Sequence, residues 1–162
     1  EITTMALIPQ VVDAVKIPVI AAGGIVDGRT MAAAFCLGAS AVQMGTRFML
    51  TKESSAHENY KNLLLGATSD CTKLMMKNLV PVRLFKNQFF KEVEALENLG
   101  ASAEKLAELL GKGRAKAGML EGDLTQGELE VGQAVSMIKD LPSVRELVPR
   151  LWQEYQETLK SL

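Results

Sequence analysis

The sequence predicts an α/β fold, and three observations support this. Residues 18–22 and 41–44 are short apolar runs that each end at a glycine, and an alanine-rich segment with helical spacing lies between them. This order is typical of a β-α-β unit, whose two strands are parallel and joined by a right-handed crossover. After the second run the hydrophobic pattern becomes that of successive helices. A chain of 162 residues is long enough for one domain or for part of a larger one.

The first two elements are defined by capping and breaking residues. Thr3 or Thr4 is positioned to cap a helix whose apolar residues recur at helical spacing, and Pro18 prevents that helix from continuing. Residues 18–22 show no alternation with polar side chains, as in strands that are buried on both faces of a parallel sheet. We therefore expect a helix followed by a buried strand.

The crossover helix and the second strand are marked by similar signals. Asp27 is a good N-cap for an alanine-rich helix over residues 29–37, and Gly38 is placed to end it. The apolar residues 41–44 then form a second strand that stops at Gly45. These two elements complete the predicted β-α-β unit.

The rest of the chain is predicted to be mostly helical. Helices are expected over residues 56–65, 86–99, 102–110, 131–139 and from 143 to the C-terminal end. Residues 72–80 are ambiguous, and the six glycines within residues 111–132 predict a series of turns. Ser143 and Glu146 form a capping box for the last helix, which Pro149 is expected to kink or to displace at its start.

Composition and charge exclude several classes of function. Eighteen basic and nineteen acidic side chains give a net charge of -1, so no general attraction to nucleic acid or to an anionic membrane is expected. No apolar run approaches the ~18 residues of a transmembrane helix, and the first residues of the sequence show no basic region followed by an apolar one. Cys36 and Cys71 belong to no cluster of metal ligands. We expect a soluble cytoplasmic protein with reduced thiols and no metal site.

Chemistry is expected where the two predicted strands end. Parallel sheets bind their ligands at the carboxyl ends of their strands, which here are Gly23, Gly24 and Gly45. Without a Cβ atom, a glycine lets backbone N–H groups approach an anion closely. One such glycine more often serves only to make a tight turn. The two glycine turns lie 22 residues apart, and this spacing favours the phosphate site that (β/α)8 barrels build after their seventh and eighth strands.

Five blocks of this sequence are similar to a known family, and they lie at residues 17–25, 27–28, 38–39, 41–48 and 52–54. Together they resemble the flavin-dependent family that contains nitronate monooxygenases and enoyl-acyl-carrier-protein reductase II. The similarity is dense over residues 1–60. A patchier likeness to the reductase branch follows at residues 86–88, 118–119, 121–123 and 132–133.

The resemblance implies an FMN-binding enzyme whose fold is the C-terminal part of a (β/α)8 TIM barrel. Residues 1–55 would carry the FMN phosphate site, and residues 56–162 would form a mostly helical extension packed on the barrel. The residues expected to hold the phosphate are Ala22, Gly23, Gly24, Gln43, Met44, Gly45 and Thr46. The family's candidate general acid or base is a histidine that would precede Glu1, so no catalytic residue is assigned within this chain. The chain is accordingly expected to begin inside a fold.

By resemblance, the leading function is FMN-dependent reduction of trans-2-enoyl thioesters by NAD(P)H in fatty-acid synthesis. The expected partner is an acyl-carrier-protein thioester, and the expected assembly is a homodimer that binds neither nucleic acid nor membrane. The first alternative is a nitronate monooxygenase, which carries out the oxidative denitrification of alkyl nitronates. An alternative of another class is a non-catalytic module that binds flavin or phosphate.

Three further features have a functional and a structural interpretation. His57 is the only histidine, and its place near a helix start favours a capping or solvated residue over a catalyst. Cys36 is expected in the core, and Cys71 lacks the cationic neighbours of an activated thiol. The basic excess over residues 71–91 fits either recognition of an acidic carrier protein or NADPH, or a solvated face that the following glutamates neutralise.

Overall fold

The computed structural model of the chain describes residues 2–161. Its α-helices are α1 (Thr4–Ala14), α2 (Gly28–Cys36), α3 (Gly45–Met49), α4 (Glu58–Leu65), α5 (Gln88–Asn98), α6 (Ala103–Leu110) and α7 (Val144–Lys160). Its strands are β1 (Ile20–Ala22), β2 (Ala41–Gln43), β3 (Thr72–Met75) and β4 (Val82–Phe85). A first unit joins the residues up to Ser54 with those from Asp140 onward, and a second unit comprises Ser55–Lys139.

The predicted β-α-β arrangement is present in the first unit. β1 and β2 are parallel neighbours, in a register that places Ile20 beside Ala41 and Ala22 beside Gln43. The Asp27 carboxylate caps α2 by accepting a hydrogen bond from the Thr30 backbone N–H at 2.8 Å. These local signals explain why the α/β class was predictable from the sequence.

The core of the first unit lies on one face of the two-stranded sheet. Ala21 is completely buried there, and it belongs to a cluster that includes Met31 of α2 and Leu147 and Leu151 of α7. The prediction of a strand buried on both faces is wrong for β1, because Ile20 is 62% exposed. Within residues 2–161, helices cover only the face to which Ala21 points, so its two strand neighbours remain accessible.

The last helix forms as its capping box predicts, and it belongs to the first unit. Ser143 accepts a hydrogen bond from the Glu146 backbone N–H, and the Glu146 carboxylate accepts one from the Ser143 backbone N–H at 2.9 Å. α7 runs through Pro149 as one helix, so its start is not displaced. The sequence assigned residues 56–162 to one extension, whereas the structure groups the part from Asp140 onward with the N-terminal residues.

The second unit is less helical than the sequence predicts. The ambiguous segment forms β3, which pairs with β4 as an antiparallel hairpin with Thr72 opposite Phe85. Met76, where the hairpin connection begins, has a φ of 55°, a conformation that non-glycine residues rarely adopt. The expected helix over 131–139 is a 3-10 helix at Gln133–Met137. The hairpin was missed because no glycine marks its positive φ.

The glycine-rich part of the second unit contains a π-helix among its turns. That helix spans Lys116–Leu120, and its Gly118 packs directly on Gly127. A Cβ atom on Gly127 would overlap the backbone of Gly118, so two chain segments touch at a point where no side chain fits. The predicted turns are therefore held by close backbone contact.

Candidate phosphate-binding site

The two glycine turns lie side by side. Because Ala22 is paired with Gln43 in parallel register, the residues that follow each strand emerge at the same edge of the sheet. Gly23 and Gly24 follow β1, and Met44 and Gly45 follow β2. The structure therefore brings together the two segments that the sequence singled out as a phosphate site.

The first turn requires glycine for its backbone conformation. Gly23 has a φ of 97° and Gly24 a φ of 76°, both in the left-handed region that glycine adopts without strain. The Thr4 hydroxyl donates a hydrogen bond to the Gly23 carbonyl at 3.0 Å, which ties this turn to α1. A Cβ atom on Gly24 would meet no atom of residues 2–161 within 4 Å, so the space beside it is open.

Gly45 has no conformational reason to be glycine. Its φ lies outside the left-handed region, and a Cβ atom there would meet nothing within 4 Å among the residues that the structure describes. A larger side chain at position 45 would therefore cause no backbone strain and would meet no atom of the described residues at its Cβ position. An open glycine at the end of a strand instead fits a position where a ligand approaches the backbone.

The remaining predicted site residues contribute in different ways. Ala22 and Gln43 are exposed at the strand ends, and Thr46 is half-buried in the first turn of α3. The side chain of Met44 is packed in the core of the first unit, where the residue is 9% exposed. Met44 can therefore serve the site only through its backbone.

Arg47 is a buried residue beside this site to which the sequence analysis gave no role. It lies on α3, is 4% exposed, and donates hydrogen bonds from Nη1 to the Asp140 carboxylate at 2.9 Å and from Nη2 to the Leu50 carbonyl at 2.7 Å. Its Nε–H is buried and has no hydrogen-bond partner among the described residues. Only its position in the block 41–48 could have drawn attention to it, because Asp140 is 93 residues away in the sequence.

The other candidate residues have structural roles. His57 caps α4, since its Nδ1 accepts a hydrogen bond from the Asn59 backbone N–H at 3.1 Å, as the sequence favoured. Burial raises the pKa of the Cys71 thiol, which opposes formation of a reactive thiolate. The expectation that Cys36 lies in the core is wrong, because it is exposed near the end of α2.

The basic stretch of residues 71–91 is partly neutralised by glutamates from α5. Lys73 forms an ion pair with Glu94 at 2.6 Å, and the Lys77 backbone N–H donates to Glu97 at 3.2 Å. Both contacts fit the interpretation of this stretch as a solvated face.

Asn87, in one of the segments that resemble the reductase branch, connects the start of α5 to a nearby series of turns. Its Oδ1 accepts from the Phe90 backbone N–H at 2.9 Å and so caps α5, while its Nδ2 donates to the carbonyls of Leu124 and Gly127 at 3.1 and 2.8 Å. Arg114 lies over the Phe89 ring, 4.5 Å from its centroid. These residues thus hold the turns of residues 123–127 in place.

Two further observations concern possible ligand sites elsewhere in the described chain. Among residues 2–161, no group of three or more His, Cys, Asp or Glu side chains is placed to hold a metal ion. A groove of 440 Å³ lies between the start of α2 and the end of α7, and its lining includes Asp27, Arg29 and Glu154 but none of the predicted phosphate ligands.

In the part of the chain that the structure covers, no helix has the length and apolar character needed to cross a membrane.

An α/β unit with paired glycine turns at adjacent strand ends is typical of proteins that bind phosphate groups. Comparison with known families narrows the class to which this chain belongs. The model of the family described as nitronate monooxygenase matches residues 1–154. The chain belongs to this family. Its members include nitronate monooxygenases and FabK, an enoyl-acyl-carrier-protein reductase II, and these are FMN-dependent oxidoreductases. The family resemblance seen in the sequence is thereby confirmed.

Individual relatives differ in their named activities. A Rhodococcus jostii protein named (3aS,4S,5R,7aS)-5-hydroxy-7a-methyl-1-oxo-octahydro-1H-indene-4-carboxyl-CoA dehydrogenase is 32% identical over 91% of this chain and 52% of its own length. A Bacillus subtilis protein named "Probable nitronate monooxygenase" is 37% identical over 93% of this chain and 43% of its own length.

The solved structure of FabK from Thermotoga maritima is similar over almost the whole chain. It matches with a TM-score of 0.92 and 38% sequence identity, covering 99% of this chain and 51% of that one. The chain thus spans about half the length of the relatives that it matches.

Proposed function

We propose that this chain supplies the FMN phosphate site of an enoyl-acyl-carrier-protein reductase built as a (β/α)8 barrel. In this proposal β1 and β2 are the last two strands of the barrel, and the glycine turns that follow them hold the phosphate. The observation that carries the proposal is that position 45 is a glycine, although neither the backbone conformation nor any neighbour within residues 2–161 requires one there. A bound phosphate would supply the reason.

The residues present fit such a group. Backbone N–H groups near Gly24 and Gly45 can approach an anion because no side chain of the described residues fills the adjacent space. The site also has a hydroxyl group, from Thr46 in the first turn of α3. These are neutral donors, which suit a phosphate dianion without requiring a strongly basic protein.

The chain's own contribution is to bind and orient the cofactor. Bound FMN supplies hydride chemistry between a nicotinamide and an electron-poor double bond. The two turns fix the phosphate end of the cofactor, and binding energy at that end keeps the distant reacting part in a fixed orientation. No residue of this chain is assigned to proton transfer.

Two observations favour a reductase acting on an enoyl thioester of an acyl carrier protein. Residues 86–88, 118–119, 121–123 and 132–133 resemble the reductase branch, and FabK, an enoyl-acyl-carrier-protein reductase II, matches with a TM-score of 0.92. The Rhodococcus relative is named for a carboxyl-CoA compound, which is also an acyl thioester. Shared thioester chemistry supports this substrate class.

A nitronate monooxygenase is the second candidate function. The family model and the Bacillus subtilis relative carry that name, and the relative is 37% identical to this chain. The phosphate site would serve this reaction equally well, because it contacts only the end of the cofactor remote from the chemistry. The two candidates therefore share their cofactor and differ in substrate.

The decisive experiment uses the full-length purified protein. A reductase will be yellow, will contain FMN, and will oxidise NADH or NADPH rapidly only when crotonyl-acyl-carrier protein is added. Oxygen uptake with ethyl nitronate, without thioester-dependent nicotinamide oxidation, would replace the reductase with the monooxygenase. A colourless protein that does not bind FMN would refute both and leave a phosphate-binding module as the alternative.

A further inference from the structure

The second glycine turn continues into α3, a helix too short to hold its own position. Gly45 and Thr46 are its first two residues, and the helix ends at Met49. An isolated helix of five residues is not stable in water, because nucleation costs more than so few hydrogen bonds return. The orientation of the Gly45 and Thr46 amides must therefore be fixed by contacts from outside the helix.

Arg47 provides such contacts. Its side chain is 5% exposed, and Nη2 donates both to the Leu50 carbonyl at 2.7 Å and to the Asp140 carbonyl at 2.9 Å. Nη1 donates to the Asp140 carboxylate at 2.9 Å. The planar guanidinium thus joins the end of α3 to the chain segment before α7.

Asp140 is itself held from a second side. Its Oδ2 accepts a hydrogen bond from Nη1 of Arg150 on α7 at 2.5 Å, so one carboxylate is shared by two guanidinium groups. Arg150 lies on another helix, and in the described part of the chain its side chain forms ion pairs with Asp140 and Glu154. The two arginines therefore contact the same carboxylate, but only Arg47 belongs to the helix that carries the glycine turn.

A buried guanidinium is a costly way to obtain stability alone. Desolvation of the charge offsets much of the attraction, and hydrophobic residues of similar volume often stabilise a fold equally well. Here one donor, the Arg47 Nε–H, is also left without a partner among the described residues. What the guanidinium offers instead is a rigid planar fork, which fixes direction in a way that a lysine cannot.

We propose that Arg47 is a positioning residue that holds α3 so that the Gly45 and Thr46 amides face the bound phosphate. The inference rests on the proposed function for its ligand, but the fixed position of the turn can be measured without any ligand. Arg47 touches neither the cofactor nor the reacting atoms in this proposal. It acts only through the backbone of α3.

The test compares Arg47→Lys with Arg150→Lys in the full chain. Hydrogen–deuterium exchange of the backbone amides of residues 44–47 is measured first on flavin-free protein, and the FMN dissociation constant is then measured by flavin fluorescence. We expect Arg47→Lys to speed exchange at these amides and to weaken FMN binding about tenfold, because a loosened turn must be ordered when the phosphate binds. Arg150→Lys should leave both quantities within about twofold, because it leaves the hydrogen bonds from Arg47 to Leu50 and Asp140 in place.

Each outcome decides a separate point. Unchanged exchange at residues 44–47 in Arg47→Lys would overturn the positioning role whether or not the protein binds flavin. Faster exchange combined with unchanged FMN affinity would overturn its link to the phosphate, and wild-type protein without FMN affinity would refute the proposed function instead. If Arg47→Lys does not fold, Asp140→Asn tests the same contact, because it weakens the acceptor and leaves Arg47 in place.

Discussion

The backbone N–H of Gly28 donates a hydrogen bond to the carboxylate of Glu154, 126 residues further along the chain, at 2.9 Å. This bond joins the first turn of α2 to the C-terminal half of α7. A Cβ atom on Gly28 would overlap both the Glu154 Cβ and the backbone of Tyr155. The contact between these two helices therefore depends on a position without a side chain.

Gly28→Ala is accordingly expected to destabilise the protein by about 2 to 3 kcal/mol, because the added methyl group forces two helix backbones apart. The free energy of unfolding, measured by urea titration, checks this value. Gly66→Ala is the matched control, since a Cβ atom there would make only an ordinary contact at 3.6 Å with the Leu63 carbonyl. A cost below about 0.5 kcal/mol for Gly28→Ala, typical of a surface site, would contradict the close helix contact.

The elements that the sequence predicted correctly are those with local signals. Asp27 begins α2 with its own side chain, Gly38 follows its end with a φ of 94°, and the glycine turns mark the ends of both parallel strands. The close approach of the two glycine turns was predictable for the same reason. The carboxyl ends of neighbouring parallel strands lie close together, and this can be predicted from strand order and residue spacing even when the rest of the fold is not known.

Two of the features that were missed depend on distant parts of the chain, and a third depends on an unusual backbone conformation. Arg47 acquires its place from Asp140, which no local pattern connects to it. Ile20 is exposed because no described helix covers its face of the sheet. An apolar run in the sequence does not show which face of a strand will be covered. The β3–β4 hairpin was obscured because Met76 adopts a positive φ that sequence rules assign to glycine.

Asn87 is expected to stabilise the protein through two groups whose effects can be separated, its Oδ1 acceptor and its Nδ2 donor. Asn87→Ser retains a capping oxygen for α5 but loses the two hydrogen bonds to Leu124 and Gly127, so a cost of about 2 kcal/mol is expected. Asn87→Ala also loses the cap and should cost about 1 kcal/mol more. Thermal and urea unfolding measure both differences. Asn98→Ala, at the exposed end of α5, serves as the control and should change little.

Equal costs for Asn87→Ser and Asn87→Ala would contradict the separate role of the cap. A cost near zero for Asn87→Ser would instead show that the two donated hydrogen bonds add nothing to the stability of the second unit.

Asp140 makes the stability of the protein depend on pH in a defined direction. Hydrogen bonds from Arg150 and then from Arg47 hold the pKa of Asp140 below its ordinary value of 3.8 despite partial burial, so the folded state favours the charged form. The resulting stabilisation is fully present above pH 3.8 and is lost as the pH falls toward the lower pKa of the folded state. At pH 7 we expect the free energy of unfolding of the wild-type protein to exceed that of Asp140→Asn by about 1 kcal/mol. The expected difference is small because solvent screens this half-exposed carboxylate.

Urea unfolding of both proteins between pH 7 and pH 3 measures this effect. The difference between them should stay constant above pH 5 and shrink below pH 3.8. Asp13→Asn, which changes an exposed carboxylate on α1, controls for the change in net charge. A difference that grows as the pH falls would have the wrong sign for a carboxylate stabilised in its charged form.

Gly45→Val separates ligand binding from folding. Its φ and the open space around it predict a change in unfolding free energy of no more than about 1 kcal/mol. The branched side chain would occupy the space through which a phosphate reaches the backbone amides, so the FMN dissociation constant should rise about a hundredfold, as expected when binding geometry is lost. Ser40→Val, at the exposed position just before β2, is the control for a bulkier side chain near the other end of that strand. Unchanged flavin content in Gly45→Val, with wild-type stability, would show that the open space at this strand end is not where the phosphate binds.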